Sequence, residues 1–165
     1  MKIKRKIIPQ GTKLLRYSWT QFDRDMYLLI QAMDKSGFKP KSIVCIATGG
    51  LCAGSKLRNL LGAPLTILST ASYSGFKQQK TLTLNSSYVV PLQSPVLLVD
   101  DIADTGKTLS VVKQHLELGG TQIKTATIFY KDSSVIKPDW FIHKVAKNRW
   151  IEFPWERENK YVKKS

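Results

Sequence analysis

Two periodicities alternate along this chain. Between Thr20 and Ser36 the apolar residues Phe22, Met26, Leu29, Ile30 and Met33 recur at helical spacing, which predicts an amphipathic helix ended by Gly37 and Pro40. Ser18, with Gln21 three residues later, supplies the pattern of a capping box at its start. Ser42 to Ala47 is a short apolar run that predicts a buried strand, and it enters a Gly49-Gly50 turn. Leu51 to Leu61 then reads as a helix stopped by Gly62 and Pro64. Leu65 to Thr70 predicts a second strand, Thr81 to Val90 a hairpin and Val96 to Val99 a central strand. Leu109 to Leu118 predicts a helix, and Ile123 to Tyr130 another strand after Gly119-Gly120. Strands alternating with helices predict an α/β fold with a central parallel sheet flanked by helices.

The 165 residues suit a single domain with one sizeable core, spanning 1–165. Ala71 to Lys80 is polar, contains glycine and has no period, which marks a mobile loop. No apolar run approaches the roughly 18–20 residues that span a bilayer. The basic start Met1-Lys-Ile-Lys-Arg-Lys6 lacks a long apolar segment and a small-residue cleavage site. Cys45 and Cys52 are too few for a zinc site alone, and His115 and His143 stand at no metal-finger spacing. Buried free thiols suit a reducing compartment, so a soluble cytoplasmic protein is expected.

Charge changes the picture of partners. There are 26 Lys and Arg against 12 Asp and Glu, a net charge of +14. The basic residues are scattered, however, and no aromatic-interleaved stripe or helix-turn-helix pattern gathers them. Specific nucleic-acid binding is therefore not expected. A general basic field would instead raise the encounter rate of a small, highly anionic substrate.

The chemistry concentrates in Val96-Leu-Leu-Val-Asp100-Asp101-Ile-Ala-Asp104-Thr105-Gly106-Lys107-Thr108. An aliphatic run meets two adjacent carboxylates, then a phosphate-sized turn, then a helix start. Carboxylates suit hydroxyls or a metal, and free backbone N–H groups at a helix start suit an anion. A sugar phosphate satisfies both. Three other readings compete. A P-loop requires glycine five residues before Gly106, where Asp101 stands. A receiver-type acidic pair belongs near the first strand. An inert turn in which Asp104 caps the helix leaves two carboxylates unexplained.

This segment resembles the 5-phosphoribosyl 1-pyrophosphate (PRPP) signature of the type I phosphoribosyltransferases: four apolar residues, two acids, two aliphatic positions, then Asp-Thr-Gly-x-Thr. Ala103 stands where a larger aliphatic residue is usual. The resemblance implies a type I phosphoribosyltransferase fold with a small hood from the chain ends, the hood lying at about 131–156 and a flexible loop at about 72–80. It also implies Mg²⁺ dependence and a homo-oligomer, dimer or tetramer. Asp100 and Asp101 would hold the ribose hydroxyls, with Asp101 also at the metal. Asp104 would be the catalytic base, while Thr105, Gly106, Lys107 and Thr108 would cradle the 5′-phosphate.

Thr48-Gly49-Gly50 is a strand-to-helix turn that lets a ligand approach the backbone. Beside the signature it resembles the family's pyrophosphate loop, although Thr48 replaces a usual Arg or Lys. Lys56, Lys77 and Lys80 are the candidates to replace that charge. Near the C-terminus, Trp150-Ile151-Glu152-Phe153-Pro154-Trp155 reads on composition as core packing or as a base-binding face with Trp150 stacking and Glu152 at a polar edge.

That stretch, with Ala126 to Lys131, looks like the bacterial xanthine-guanine phosphoribosyltransferases. The likeness implies that Lys131 meets the purine 6-oxo group, that Trp150 stacks, and that the Ile151 carbonyl reads the 2-substituent with Glu152 nearby. Ser72 and Tyr73 resemble the start of the same family's flexible loop. The implied reaction joins PRPP to guanine, xanthine or hypoxanthine in purine salvage, giving the 5′-mononucleotide and pyrophosphate. Two alternatives are a regulatory protein on the same fold, binding PRPP or nucleotides together with RNA or DNA, and a phosphoribosyltransferase for another base. Lys131 weighs against adenine, because a cation suits an oxygen acceptor rather than an amino donor.

Overall fold

The computed structural model describes residues 11–72, 82–86 and 91–156, with backbone alone at 70–72 and 82–86. Six strands form the main sheet: β2 (Ser42–Ala47), β3 (Leu65–Ser72), β4 (Leu82–Ser86), β5 (Val96–Ala103), β6 (Ile123–Lys131) and β7 (Trp140–Val145). Their order is β4-β3-β2-β5-β6-β7. All pairings are parallel except β3 with the edge strand β4. A separate parallel pair joins β1 (Lys13–Arg16) to β8 (Arg149–Glu152) and makes the hood.

Three helices cover the sheet: α1 (Trp19–Lys35), α2 (Leu51–Leu61) and α3 (Lys107–Glu117). The strands are apolar on both faces because each face has a helical cover. Ile43 and Cys45 of β2, with Leu97 and Val99 of β5, pack with Met26, Leu29 and Met33 of α1 and Leu57 of α2. Their neighbours Val44, Ile46, Val96 and Leu98 face the other way and join Leu109 and Val112 of α3. The two-residue period of the strand thus feeds two cores at once.

The capping box at α1 forms as expected: Gln21 N–H donates to Ser18 Oγ at 3.2 Å, and Ser18 N–H donates to Gln21 Oε1 at 2.9 Å. The strands run further than the apolar pattern indicated. β5 continues through Asp100 and Asp101 to Ala103, held by pairing with β6 up to Ala103↔Tyr130. β6 likewise includes Lys131, so this lysine ends a strand rather than following it. Ser72, assigned to a loop, is the last residue of β3 and pairs with Leu82. Tyr73 and most of the expected loop lie outside the described residues.

One buried polar cluster was not anticipated. Asp25 of α1 is fully buried among the apolar side chains of its helix. Its carboxylate accepts from Tyr17 Oη at 2.8 Å and from Arg24 Nε and Nη2 at 3.0 and 2.9 Å. His143 Nε2 of β7 lies 2.5 Å from the same Oδ2 that Tyr17 uses. Burial, followed by the Asp25 contact, pushes the Tyr17 phenol well above its ordinary value. The cluster binds β7, α1 and the segment leaving β1 into one unit.

Candidate active site

The order of the sheet reverses between β2 and β5, one leading outward to β3 and the other to β6 and β7. Parallel sheets bind ligands beyond the carboxyl ends of strands at such a switch point. Thr48–Gly50 leaves β2 there, and Asp100 and Asp101 lie in the C-terminal half of β5 beside it. The two elements are in contact. A Cβ built on Gly49 would fall 2.6–2.7 Å from the Asp101 carboxyl atoms, and one on Gly50 would fall 2.7–2.8 Å from the Val99 and Ile46 carbonyl oxygens. Only residues without side chains fit this approach.

The loop begins with a cis Ala47–Thr48 peptide. Gly50 N–H donates to Ile46 O at 2.8 Å, and Leu51 N–H to Thr48 O at 3.3 Å. The Gly50 N–H is therefore used within the chain, and Thr48 and Gly49 remain as the loop's candidate donors. Lys56 is also removed as a replacement for the missing cation. Its ammonium lies 2.5 Å from Asp23 of α1. Lys77 and Lys80 lie outside the described residues.

Asp101 is buried, and its N–H donates to Asp100 Oδ1 at 2.9 Å. Burial first, and the Asp101 carboxylate second, hold the Asp100 carboxyl well above the usual carboxylate range. Two crowded acids suit a hard cation or sugar hydroxyls. Among the described residues no group of three or more His, Cys, Asp or Glu side chains could hold a metal. A cation here would therefore share its ligands with substrate oxygens, the usual arrangement for Mg²⁺ beside phosphates.

Past β5 the chain turns through Asp104, Thr105 and Gly106 into α3. Gly106 takes the left-handed conformation (φ 71°) as N-cap, and no side chain caps the helix. Asp104 therefore does not fill the capping role weighed for it. The first turn contains no acid and begins with Lys107, whose N–H donates to Thr105 Oγ1 at 3.5 Å; a helix start of this kind favours an anion. A Cβ at Gly106 would collide with Ser134 and Ile136, which follow β6. Val135 N–H donates to Thr105 O at 2.9 Å, fastening that turn onto the loop.

Lys131 and Asp104 meet across this junction. Lys131 Nζ lies 2.9 Å from Asp104 Oδ1, with the lysine side chain 7% exposed and the aspartate side chain 55% exposed. The sequence named both residues without pairing them.

The hood divides the C-terminal candidates. Ile151 and Phe153 are core residues, so only the backbone of Ile151 remains for recognition. Trp150 and Glu152, two apart on β8, share the opposite face, and Trp150 is half-buried. Glu152 Oε2 lies 3.3 Å from Arg16 Nε of β1, its register partner, so an approach to a ligand would compete with that contact. Trp155 belongs to packing: its ring stacks on Phe153 at 4.8 Å and meets Phe22 at 5.4 Å.

No described helix is long and apolar enough to cross a membrane. A xanthine-guanine phosphoribosyltransferase of Nitratidesulfovibrio vulgaris is 29% identical over 152 residues, covering 91% of this chain and 89% of that protein. A purine phosphoribosyltransferase structure from Pyrococcus horikoshii superposes with a TM-score of 0.75 at 30% identity, covering 91% of this chain and 99% of that one. A xanthine-guanine-hypoxanthine phosphoribosyltransferase from Helicobacter pylori shares the fold, with a TM-score of 0.75 at 23% identity over 88% of this chain and 93% of that one. The phosphoribosyl transferase domain matches residues 18–161, and with the acidic pair, the uncapped helix start and the glycine loop at one switch point, this chain belongs to the phosphoribosyl transferase family.

Proposed function

We propose that this enzyme transfers a 5-phosphoribosyl group from PRPP to a 6-oxopurine, releasing pyrophosphate, in purine salvage. The observation that carries the base class is Lys131, a buried ammonium beside the acidic residue of the PRPP loop. Its donors match an exocyclic oxygen and not an exocyclic amine. The purine names borne by the relatives of similar length support the same class.

In this reading the 5′-phosphate sits on the open N-terminus of α3, held by Thr105, Gly106, Lys107 and Thr108. Asp100 and Asp101 take the ribose 2′- and 3′-hydroxyls and stabilise positive character on the ring as its bond to pyrophosphate lengthens. Thr48, Gly49 and Gly50 face the leaving pyrophosphate, with the first two offering N–H groups. Asp101, with Asp100 beside it, would hold Mg²⁺, which when bound supplies positive charge to the departing oxygens. Asp104 accepts the proton that the purine nitrogen sheds as it bonds to C1′. Trp150 stacks on the base, with the Ile151 carbonyl and Glu152 near its 2-substituent. Tyr73, next after the end of β3 at Ser72, would begin a loop whose closure excludes water.

Two further elements complete the proposal. Self-association into a dimer or tetramer is supported by large apolar side chains left exposed, among them Trp19, Tyr27 and Leu28 on α1, and size-exclusion chromatography tests it. Residence in the cytoplasm is supported by two free thiols, with Cys45 pushed up to about 11, chiefly by burial and then by Asp100.

The deciding assay offers PRPP and Mg²⁺ with guanine, xanthine, hypoxanthine and adenine. Nucleotide should form from the oxopurines and not from adenine, and Asp104→Asn should lower kcat about 10²–10⁴-fold. No product from any oxopurine, or a preference for adenine, would overturn the assignment.

A further inference from the structure

The ion pair between Lys131 and Asp104 joins the two side chains that the proposed reaction needs apart. Its surroundings make it a fixed contact rather than a chance meeting of long side chains. Lys131 is 6% exposed at the end of β6, and a buried ammonium requires a counter-charge. Among the described residues Asp104 is its ion-pair partner. The backbones that carry them are also fastened: Val135 N–H to Thr105 O at 2.9 Å and Ser134 N–H to Lys131 O at 2.9 Å. Gly106 packs against Ser134 and Ile136 without room for a Cβ. The turn after Lys131 and the loop after Asp104 therefore move as one piece.

We infer that this pair is a lock against hydrolysis of PRPP, opened by the incoming base. The inference rests on the proposed transferase reading. With the base site empty, the ammonium occupies the carboxylate oxygen that would otherwise accept a proton from water. In the side reaction the C1′–O bond to pyrophosphate breaks and its electron pair leaves with pyrophosphate. The water oxygen bonds to C1′, and the water proton passes to Asp104, giving ribose 5-phosphate. In the transfer reaction a purine nitrogen takes the place of water, and its proton takes the same oxygen. A 6-oxo group seated beside Lys131 draws the ammonium donors to itself, which frees Asp104 when the correct acceptor is present. One lysine thereby serves recognition and timing, as a positioning residue for the base.

The test measures pyrophosphate release from Mg²⁺-PRPP without any base, in the wild type, Lys131→Met, Asp104→Asn and the double variant. Lys131→Gln stands in should the methionine variant not fold. Removing the ammonium should raise base-free hydrolysis about tenfold or more, the scale of one charge-assisted hydrogen bond. Asp104→Asn and the double variant should stay at or below the wild-type rate. Lys131→Arg, which keeps a cation, should release less hydrolysis than Lys131→Met.

Hydrolysis in Lys131→Met no faster than in the wild type overturns the lock. Hydrolysis in the double variant as fast as in Lys131→Met also overturns it, since water would then need no carboxylate. The same preparations assayed with oxopurines separate the two ideas. Transfer by the wild type without released hydrolysis in the variant sinks the lock alone. Released hydrolysis without transfer to any oxopurine sinks the base assignment and leaves the lock.

Discussion

Gly49 stands against the Asp101 carboxylate so closely that a methyl group on the glycine would lie 2.6–2.7 Å from its atoms. Asp101 is itself buried and bonded through its N–H to Asp100, so it has little room to retreat. Gly49→Ala should shift the acidic pair or the loop and lower kcat/KM for PRPP about 10²-fold, the usual effect of misplacing reacting groups by about 1 Å. The melting temperature should change little, because the clash lies in the cleft. Steady-state kinetics beside a thermal melt check both statements, and full activity in the variant would contradict the close approach.

The two hood tryptophans should respond in opposite ways. Trp150, half-buried on β8, should on truncation to alanine weaken purine or nucleotide binding by about 1–3 kcal/mol with a near-normal melting temperature. Trp155 packs on Phe153, Phe22 and Trp19. Its truncation should cost about 3 kcal/mol of stability and leave base selectivity as it was. Calorimetric titration with a nucleotide and chemical denaturation on both variants read out the contrast. A stability loss at Trp150 with unchanged affinity would return it to the core.

Asp25 accepts from both Tyr17 and Arg24 and contacts His143. Asp25→Ala would take that acceptor from the buried Tyr17 hydroxyl and remove the contact with the exposed Arg24 side chain, for a loss of about 1–3 kcal/mol. Urea denaturation measures it. A loss under about 1 kcal/mol would mean that the cluster relaxes without cost.

Asp139 should make part of the stability depend on acid. Burial alone would raise its carboxyl, but the Lys124 ammonium and the Thr125 N–H and hydroxyl outweigh burial and hold it below the usual range. The folded state then binds this proton less readily than the unfolded chain, whose Asp titrates near about 3.9. Its stabilisation is present above that value and is lost as pH falls through the lower folded value. Asp139→Asn should cost about 1–2 kcal/mol at neutral pH, and the gap to the wild type should close below about pH 4. A gap that persists in acid would assign the loss to packing instead.

Much of the frame was legible from the chain. The strand at Ser42–Ala47 and the helix at Leu51–Leu61 have the bounds that their apolar runs and stop residues indicate, because local period and tertiary burial agree there. β5 exceeded its apolar run because pairing with β6, and not side-chain pattern, carries Asp100 and Asp101 in extended form. β1 and β7 gave little signal: KLLR is mostly exposed and WFIHKV half-covered, and neither alternates clearly.

The site residues were legible as types, yet their pairings were not. Lys131 with Asp104 and Asp25 with His143 join residues far apart in sequence, and a single sequence carries no record of such contacts. Asp25 did leave a trace. It falls on the apolar face of α1 between Phe22, Met26 and Leu29, where an acid needs a buried partner.

The parallel pairing of β1 with β8 has a consequence for synthesis. The strand at Lys13–Arg16 finds its partner only when Arg149–Glu152 has been made. A chain grows from its N-terminus, and its local units pack as they emerge. The glycine loop, the acidic pair and the uncapped helix are all translated before β8. A nascent chain therefore holds the parts that meet phosphate and ribose before it holds the proposed platform for the base. Until then its first strand waits with an open edge, the kind that invites pairing with another chain. Chains stopped short of β8 should aggregate through that edge.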